Sequence, residues 1–213
     1  MSSNDESPGV SIAVNGVSYT ILPERLPRIP EEQMSDQQRK VTADLAATRG
    51  SLRGPFRATM RCPELMDHMQ KLGAHIRYKC GLDVKINRLA SLMVARHWTN
   101  QYEWAASVPY AHELEISPDI IDAIRDGRRP RGMSDDQEVL YEFVTELLAN
   151  KSVCDQTYGM AVNLFGEQGV VELLSVVGYY SMNAIIMNVS RTPAPDGDPL
   201  PLAAMPRMLR SNK

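Results

Sequence analysis

The chain has 213 residues, is 43% hydrophobic and carries a formal net charge of −3 at pH 7. That length suits one sizeable domain with extensions, and the apolar share is enough for a full core. No clustered basic surface points to nucleic acid; the one basic stretch, Arg125-Asp126-Gly127-Arg128-Arg129-Pro130-Arg131, reads as a solvated helix end.

In chain order, Met1 to Gly9 is polar and reads as disordered. It lacks the basic and apolar regions of a secretory leader, so a cytoplasmic location is expected. Val10 to Ile21 alternates apolar and polar residues around Asn15-Gly16, which predicts a β-hairpin. Leu22 to Pro30 holds three prolines and reads as an extended connector. Ser35 with Gln38 forms a capping box that opens a helix to about Thr48, with Gly50 as its stop. Gly54-Pro55-Phe56 turns the chain. Pro63 and Glu64 start a second helix to about Tyr78, with Leu65, Met69, Leu72 and Ile76 at helical spacing.

A central helical run follows from Val84 to about Tyr110. Ser117-Pro118 opens a helix that ends at Gly127. Ser134 with Gln137 caps another, whose inner face is Val139, Phe143, Leu147 and Leu148. A helix from Ser152-Val153-Cys154-Asp155 stops near Gly166. The last helix, from about Glu167 to Ser190, is apolar on most faces. It is long enough to cross a membrane, but its Ser, Gly, Tyr and Asn residues favour a place inside a bundle or between subunits. The tail from Arg191 to Lys213 is proline-rich, a disordered segment or an arm laid over a neighbour. The expected architecture is an all-α bundle with a small N-terminal hairpin, divided into 1–30 (disordered segment, hairpin and connector), 31–190 (helical domain) and 191–213 (arm).

Cys62, Cys80 and Cys154 are scattered, with no C-x-x-C and no zinc-like spacing. Reduced thiols and no metal are expected. Cys154 sits near a helix start that favours a thiolate, or is simply a small buried hydrophobe.

The densest chemistry lies in Arg96-His97-Trp98-Thr99-Asn100-Gln101-Tyr102-Glu103-Trp104. If the central run is one helix, Arg96, Glu103 and Ser107 fall within ~40° of each other, with Arg88 and Tyr110 flanking them. A buried polar stripe is costly unless its groups are paired or used. Glu103 is the candidate acid–base group, and its plain alternative is an internal ion pair with Arg96. Arg96 and Arg88 suit a carboxylate ligand, because guanidinium meets it bidentately. Ser107 is a candidate hydrogen-bond donor. His112 points away unless Pro109 kinks the helix. His97 is also off the stripe, and His68 and His75 share a face of the preceding helix, from which tertiary packing brings them near or leaves them outside. Trp98, Tyr102 and Trp104 wall a pocket or fill the core.

Leu89 to Trp104 resembles the signature of the carboxymuconolactone decarboxylase family, whose relatives include alkylhydroperoxidase D-like proteins. Leu72 to Tyr78, Tyr141 to Leu148, Phe165 to Tyr180 and Pro195-Asp196-Gly197 support the likeness, which spans roughly Leu26 to Leu202. The resemblance implies an all-α, alkylhydroperoxidase D-like fold that assembles as trimers or hexamers, with a pocket where the central helices meet. Two departures stand out. Asn100 and Glu103 occupy the cysteine positions of the peroxidase branch, which removes thiol peroxidase chemistry. Ser107 stands where the decarboxylase branch commonly has His, and Arg88 where it often has Glu.

The expectation is a cofactor-free, homo-oligomeric lyase acting by proton transfer on a small carboxylated or lactone-type acid. Glu103 and Ser107 are its catalytic candidates; Arg96, Arg88, Tyr110, His75 and Trp104 are its substrate-binding candidates. Isomerase, hydrolase or cyclase chemistry on the same fold, a non-catalytic scaffold, and a redox protein using Cys80 or Cys154 are the rivals. No nucleic-acid or membrane partner is expected.

Overall fold

A computed structural model describes residues 10–14, 17–195 and 202–203. The hairpin is present as β1 (Val10–Val14) and β2 (Val17–Ile21), antiparallel with Val10 opposite Ile21 and Val14 opposite Val17. Its Asn15-Gly16 turn, the Met1–Gly9 segment and most of the proline-rich tail lie outside the described residues. The connector is tied to the body at several points, among them Glu24 and Arg25. Arg57 grips Glu24 with two bonds, at 3.0 and 2.5 Å, and the Arg25 amide donates to the Ser190 carbonyl at 2.8 Å.

Helix α1 (Asp36–Arg49) opens with the Ser35/Gln38 capping box and ends on Gly50, whose φ of 76° gives the left-handed stop. The predicted turn at Gly54-Pro55-Phe56 leads into a single helical turn, α2 (Phe56–Thr59). Helix α3 (Pro63–Tyr78) has the expected bounds, and its inner face keeps Met69 and Ile76 of the expected four positions. Met66, Met69, Gly73 and Ile76 are buried, whereas Leu65 and Leu72 are exposed. The apolar stripe is wide enough to seat either face, and packing on α1 and the helix that ends at Ser190 selects the Met66 side.

The central run is two helices, α4 (Val84–His97) and α5 (Gln101–Glu113), which corrects the single-helix expectation. Trp98, Thr99 and Asn100 form an elbow, with Thr99 in the left-handed region at φ 47°. Asn100 then caps α5 by accepting from the Glu103 amide. Pro109 stays inside α5. Next come α6 (Pro118–Arg125) and α7 (Asp135–Asn150), the latter opened by the Ser134/Gln137 box. On α7, Leu140, Phe143 and Val144 are buried, while Val139, Leu147 and Leu148 pack half-buried against them. Helix α8 (Asp155–Ser190) is broken at Gly166, as predicted, where φ is 70° and ψ 170°.

Helix α4 is the hub. It packs on α5, α6, α7 and α8 around one large core that includes Leu89, Leu92, Phe143, Leu173 and Val176. A second core under α1, α2 and α3 is rich in methionine: Met34, Met60, Met66 and Met69 with Leu45 and Phe56. By length and composition α8 is apolar enough to cross a membrane, but half of its most apolar stretch is buried within the bundle. Leu202 also belongs to the large core, at 1% exposure, and the Gln101 amide brackets its backbone with bonds of 2.8 and 2.9 Å.

Candidate functional site

The elbow decides where the chemistry lies. Asn100 is 2% exposed and uses its whole amide. Its oxygen accepts from the Glu103 amide at 2.8 Å, and its nitrogen donates to Asn188 Oδ1 at 2.8 Å and the Ala184 carbonyl at 3.3 Å. Asn188 in turn donates to the Trp98 carbonyl at 2.9 Å. The turn is thus bolted to α8, and Glu103 sits in the first turn of α5, where a polar residue faces inward.

Arg96 and Glu103 consequently part company. The expected stripe joining them does not form, because the elbow rotates α5 away from the continuation of α4. Arg96 is buried in the hollow between α4, α6 and α7, and its Nη1 donates to the Ala203 carbonyl at 2.8 Å. The charge that acts on Glu103 is Arg77 of α3 instead.

Around Glu103 the bundle gathers groups from four helices. Arg88 of α4 points Nη1 at the Ser107 hydroxyl, a long contact of 3.5 Å, and its guanidinium lies 5.2 Å from the centre of the Tyr110 ring. Arg77 and Tyr180 of α8 act electrostatically on Arg88. Glu103 and Ser107 are buried, Arg88 is half-buried, and Tyr110 and Arg77 are exposed. Arg77 is crowded by protein yet reached by solvent.

The electrostatics are unusual. Burial drives the Glu103 carboxyl well above its usual range, and Arg77 opposes this without overcoming it. Burial thus favours the protonated form of this carboxyl over the ionised one. Burial also lowers the Arg88 pKa, with Arg77 adding like-charge repulsion and the tyrosines partly compensating. For Arg77, burial works against the charge, but Tyr180, Tyr179 and Tyr78 more than offset it, so its pKa is raised. Three buried atoms here have no hydrogen-bond partner: Glu103 Oε2, Arg88 Nε and the Tyr180 hydroxyl. The Tyr180 hydroxyl bears on Arg77 without reaching a geometry that satisfies it. A partnerless buried polar atom costs about 1–3 kcal/mol, so these three make a costly polar cluster inside the bundle.

The remaining candidates lie elsewhere. Trp104 is part of the large core. His75 is exposed and roughly 200° round α3 from Arg77, so it does not share the arginine's face. His68, His97 and His112 are also exposed. Cys154 is an exposed helix cap rather than a buried hydrophobe, and Cys62 is exposed. The Cys80 thiol lies 3.4 Å from Glu172 and is pushed up by burial, the opposite of an activated thiolate. Among the described residues no three His, Cys, Asp or Glu side chains group as metal ligands. Sequence reasoning missed Arg77 and Tyr180. Their signal was polarity inside otherwise apolar helical stretches, at Leu72 to Tyr78 and Gly178 to Tyr180.

No protein-family model and no curated protein sequence matches the chain. Solved structures do. The AhpD core of a peroxidase-related protein from Ralstonia eutropha JMP134 superimposes with a TM-score of 0.67 at 12% identity, covering 84% of this chain and 94% of that one. A protein of unknown function from Agrobacterium tumefaciens, provisionally named for AhpD antioxidant defence, gives 0.58 at 14% identity, covering 67% of this chain and 99% of that one. At such identities the likeness speaks for architecture and not for activity. By its helices and their arrangement, the chain has the alkylhydroperoxidase D-like fold.

Proposed function

We propose that the protein is a cofactor-independent enzyme that moves a proton on a small carboxylated or lactone-type organic acid, as carboxymuconolactone decarboxylases do. Glu103 is the general acid. Arg77 and Arg88 hold the anion, a role in which Arg77 replaces Arg96. Ser107, Tyr110 and Tyr180 shape the recess. The observation that carries this reading is a buried carboxyl whose pKa burial raises, with one partnerless oxygen and the charge of Arg77 acting on it, while Arg77 in turn acts on Arg88.

The chemistry balances without further reagents. When a carboxylate leaves as carbon dioxide, the carbon–carbon bonding pair flows into a conjugated carbonyl and forms an enolate. The Glu103 carboxyl then delivers its proton to carbon, and solvent restores it. An anion between Arg77 and Arg88 also neutralises the charge that holds the Glu103 pKa down. Binding therefore reinforces the protonated state that the reaction needs. Isomerisation or lactone opening on the same groups requires no different donor.

Purified protein offered a panel of carboxylated lactones provides the test. On the substrate that turns over, Glu103→Gln and Arg77→Met are expected to lower kcat/KM at least 100-fold with the helical circular dichroism intact. Activity within a few-fold of the parent in Glu103→Gln ends the assignment.

A second reading, a non-catalytic binding or scaffold protein, is favoured by one fact: Glu103 lines none of five well-formed hollows among the described residues. Failure of the whole panel, with no proton uptake on addition of any anion, supports it. In either case we infer a homo-oligomer, a trimer or hexamer, because Val171, Leu174, Ile185 and Val189 leave apolar side chains exposed along α8.

A further inference from the structure

The N-terminal hairpin carries no charge, since β1 and β2 are built from Val, Ile, Ala, Ser, Thr and Tyr. Its register sets Val10 opposite Ile21, Ile12 opposite Tyr19 and Val14 opposite Val17, so one face of the ribbon is apolar along its whole length. Ser11, Ala13, Ser18 and Thr20 make up the other face. Neither strand packs substantially on a helix among the described residues. A two-stranded ribbon is marginal in water by itself, and neither strand has the charge, proline or bulge that guards a free edge.

A matching surface runs along α8. Val171, Leu174, Ile185 and Val189 are exposed and fall within ~60° of one another round the helix. Glu172, the one charge in this stretch, is turned to the Gly81 amide, which donates to it at 2.8 Å. The strip from Val171 to Val189 is about 27 Å long and a five-residue strand about 17 Å, so the ribbon fits along it. The two surfaces also start from one place. Just beyond β2, the Arg25 amide donates to the Ser190 carbonyl at 2.8 Å and its Nη1 to the Val189 carbonyl at 3.2 Å. Ile21 and Leu22 are exposed at this junction. Even so, the ribbon leaves the strip of its own chain bare.

We propose that the hairpin is an exchange arm, whose apolar face lies on the α8 strip of a second copy of the chain. The second copy returns the contact with its own hairpin or passes it round a ring. It supplies one uncharged strip for each uncharged ribbon, in equal number, and the exchange covers both bare faces at once. The proposal rests on the self-association inferred above and is independent of the proton-transfer chemistry.

Sedimentation of the full chain at micromolar concentration tests it. Ile12→Lys with Tyr19→Glu makes the ribbon face polar while the two new charges, directly opposite, hold the strands together. Val171→Lys with Val189→Lys charges the strip. Each variant is expected to sediment as a smaller species than the parent, with the parent's helical circular dichroism. Mixed in equal amounts, the two are expected to associate again, because the intact strip of the first receives the intact ribbon of the second. Ser11→Lys with Thr20→Glu, on the opposite face, is expected to keep the parent's assembly. A multimer that survives Ile12→Lys with Tyr19→Glu overturns the proposal and leaves association through α8 standing. Two variants that dissociate but do not complement each other also overturn it, since like faces then meet like. A monomeric parent overturns both inferences, whether the ribbon covers its own chain or carries the protein to phosphatidylcholine vesicles in flotation.

Discussion

Asn100 accepts the Glu103 amide proton at 2.8 Å, so one side chain both starts α5 and sets the direction in which the buried carboxyl leaves it. Because the same amide also donates to Ala184 and Asn188, removing it costs more than a cap. Asn100→Ala is expected to destabilise the protein by about 2–4 kcal/mol, combining a lost cap with the lost buried bonds that fasten the elbow to α8. Asn100→Asp keeps the acceptor but loses the donors and is expected to fall between. Urea unfolding of the two variants against the parent checks the order.

The raised Glu103 pKa has a sign that stability measurements read. The native state holds a proton that the unfolded chain releases near 4.5. The stabilisation is therefore complete below that value and is lost as pH rises through the folded-state pKa. The slope reaches at most about 1.4 kcal/mol per pH unit. Glu103→Gln is expected to flatten this decline and to be at least as stable as the parent at pH 8. Arg77→Met removes the charge that opposes the shift and moves the decline to higher pH. Thermal midpoints across pH 4 to 9 test both, and a parallel decline in Glu103→Gln and parent means that Glu103 is not the group.

Gly166 carries the break in α8 with φ 70° and ψ 170°, a region essentially reserved for glycine. A methyl group there meets nothing within 4 Å, so the penalty for Gly166→Ala is conformational alone. The expected loss is about 1–3 kcal/mol, measured by urea denaturation. No loss means that the helix straightens through this point.

These features differ in how far the sequence announces them. The boxes at Ser35/Gln38 and Ser134/Gln137 and the stops at Gly50 and Gly166 were legible because each is a local transaction within a few residues. The elbow at Trp98 to Asn100 was not, since apolar spacing continues through it and no proline or glycine marks it. What fixes it is Asn188, far along the chain, although Asn100 three residues ahead of Glu103 is a capping signature in its own right. Glu103, Ser107, Arg88 and Tyr110 were found from a helical stripe that α5 preserves in part. Arg77 and Tyr180 were not, because only tertiary packing carries α3 and α8 to α5.

The apolar side chains on the outside of α8 predict the state of assembly. Val171→Lys combined with Val189→Lys alters exposed positions, at 62% and 59% exposure, and leaves the protomer core untouched. Sedimentation is expected to show a multimer for the parent and a smaller species for the variant, with unchanged circular dichroism. A monomeric parent at micromolar concentration removes the inference of self-association.

The Gln101 bracket on Leu202 has a practical consequence for anyone shortening this chain. A truncation at the end of α8, where the regular helix stops, would delete a leucine that plugs the main core and strip both partners from an amide set at the start of α5. Proteolytic trimming there should register at Glu103, two residues along the chain from Gln101, so the minimal folding unit runs at least through Leu202.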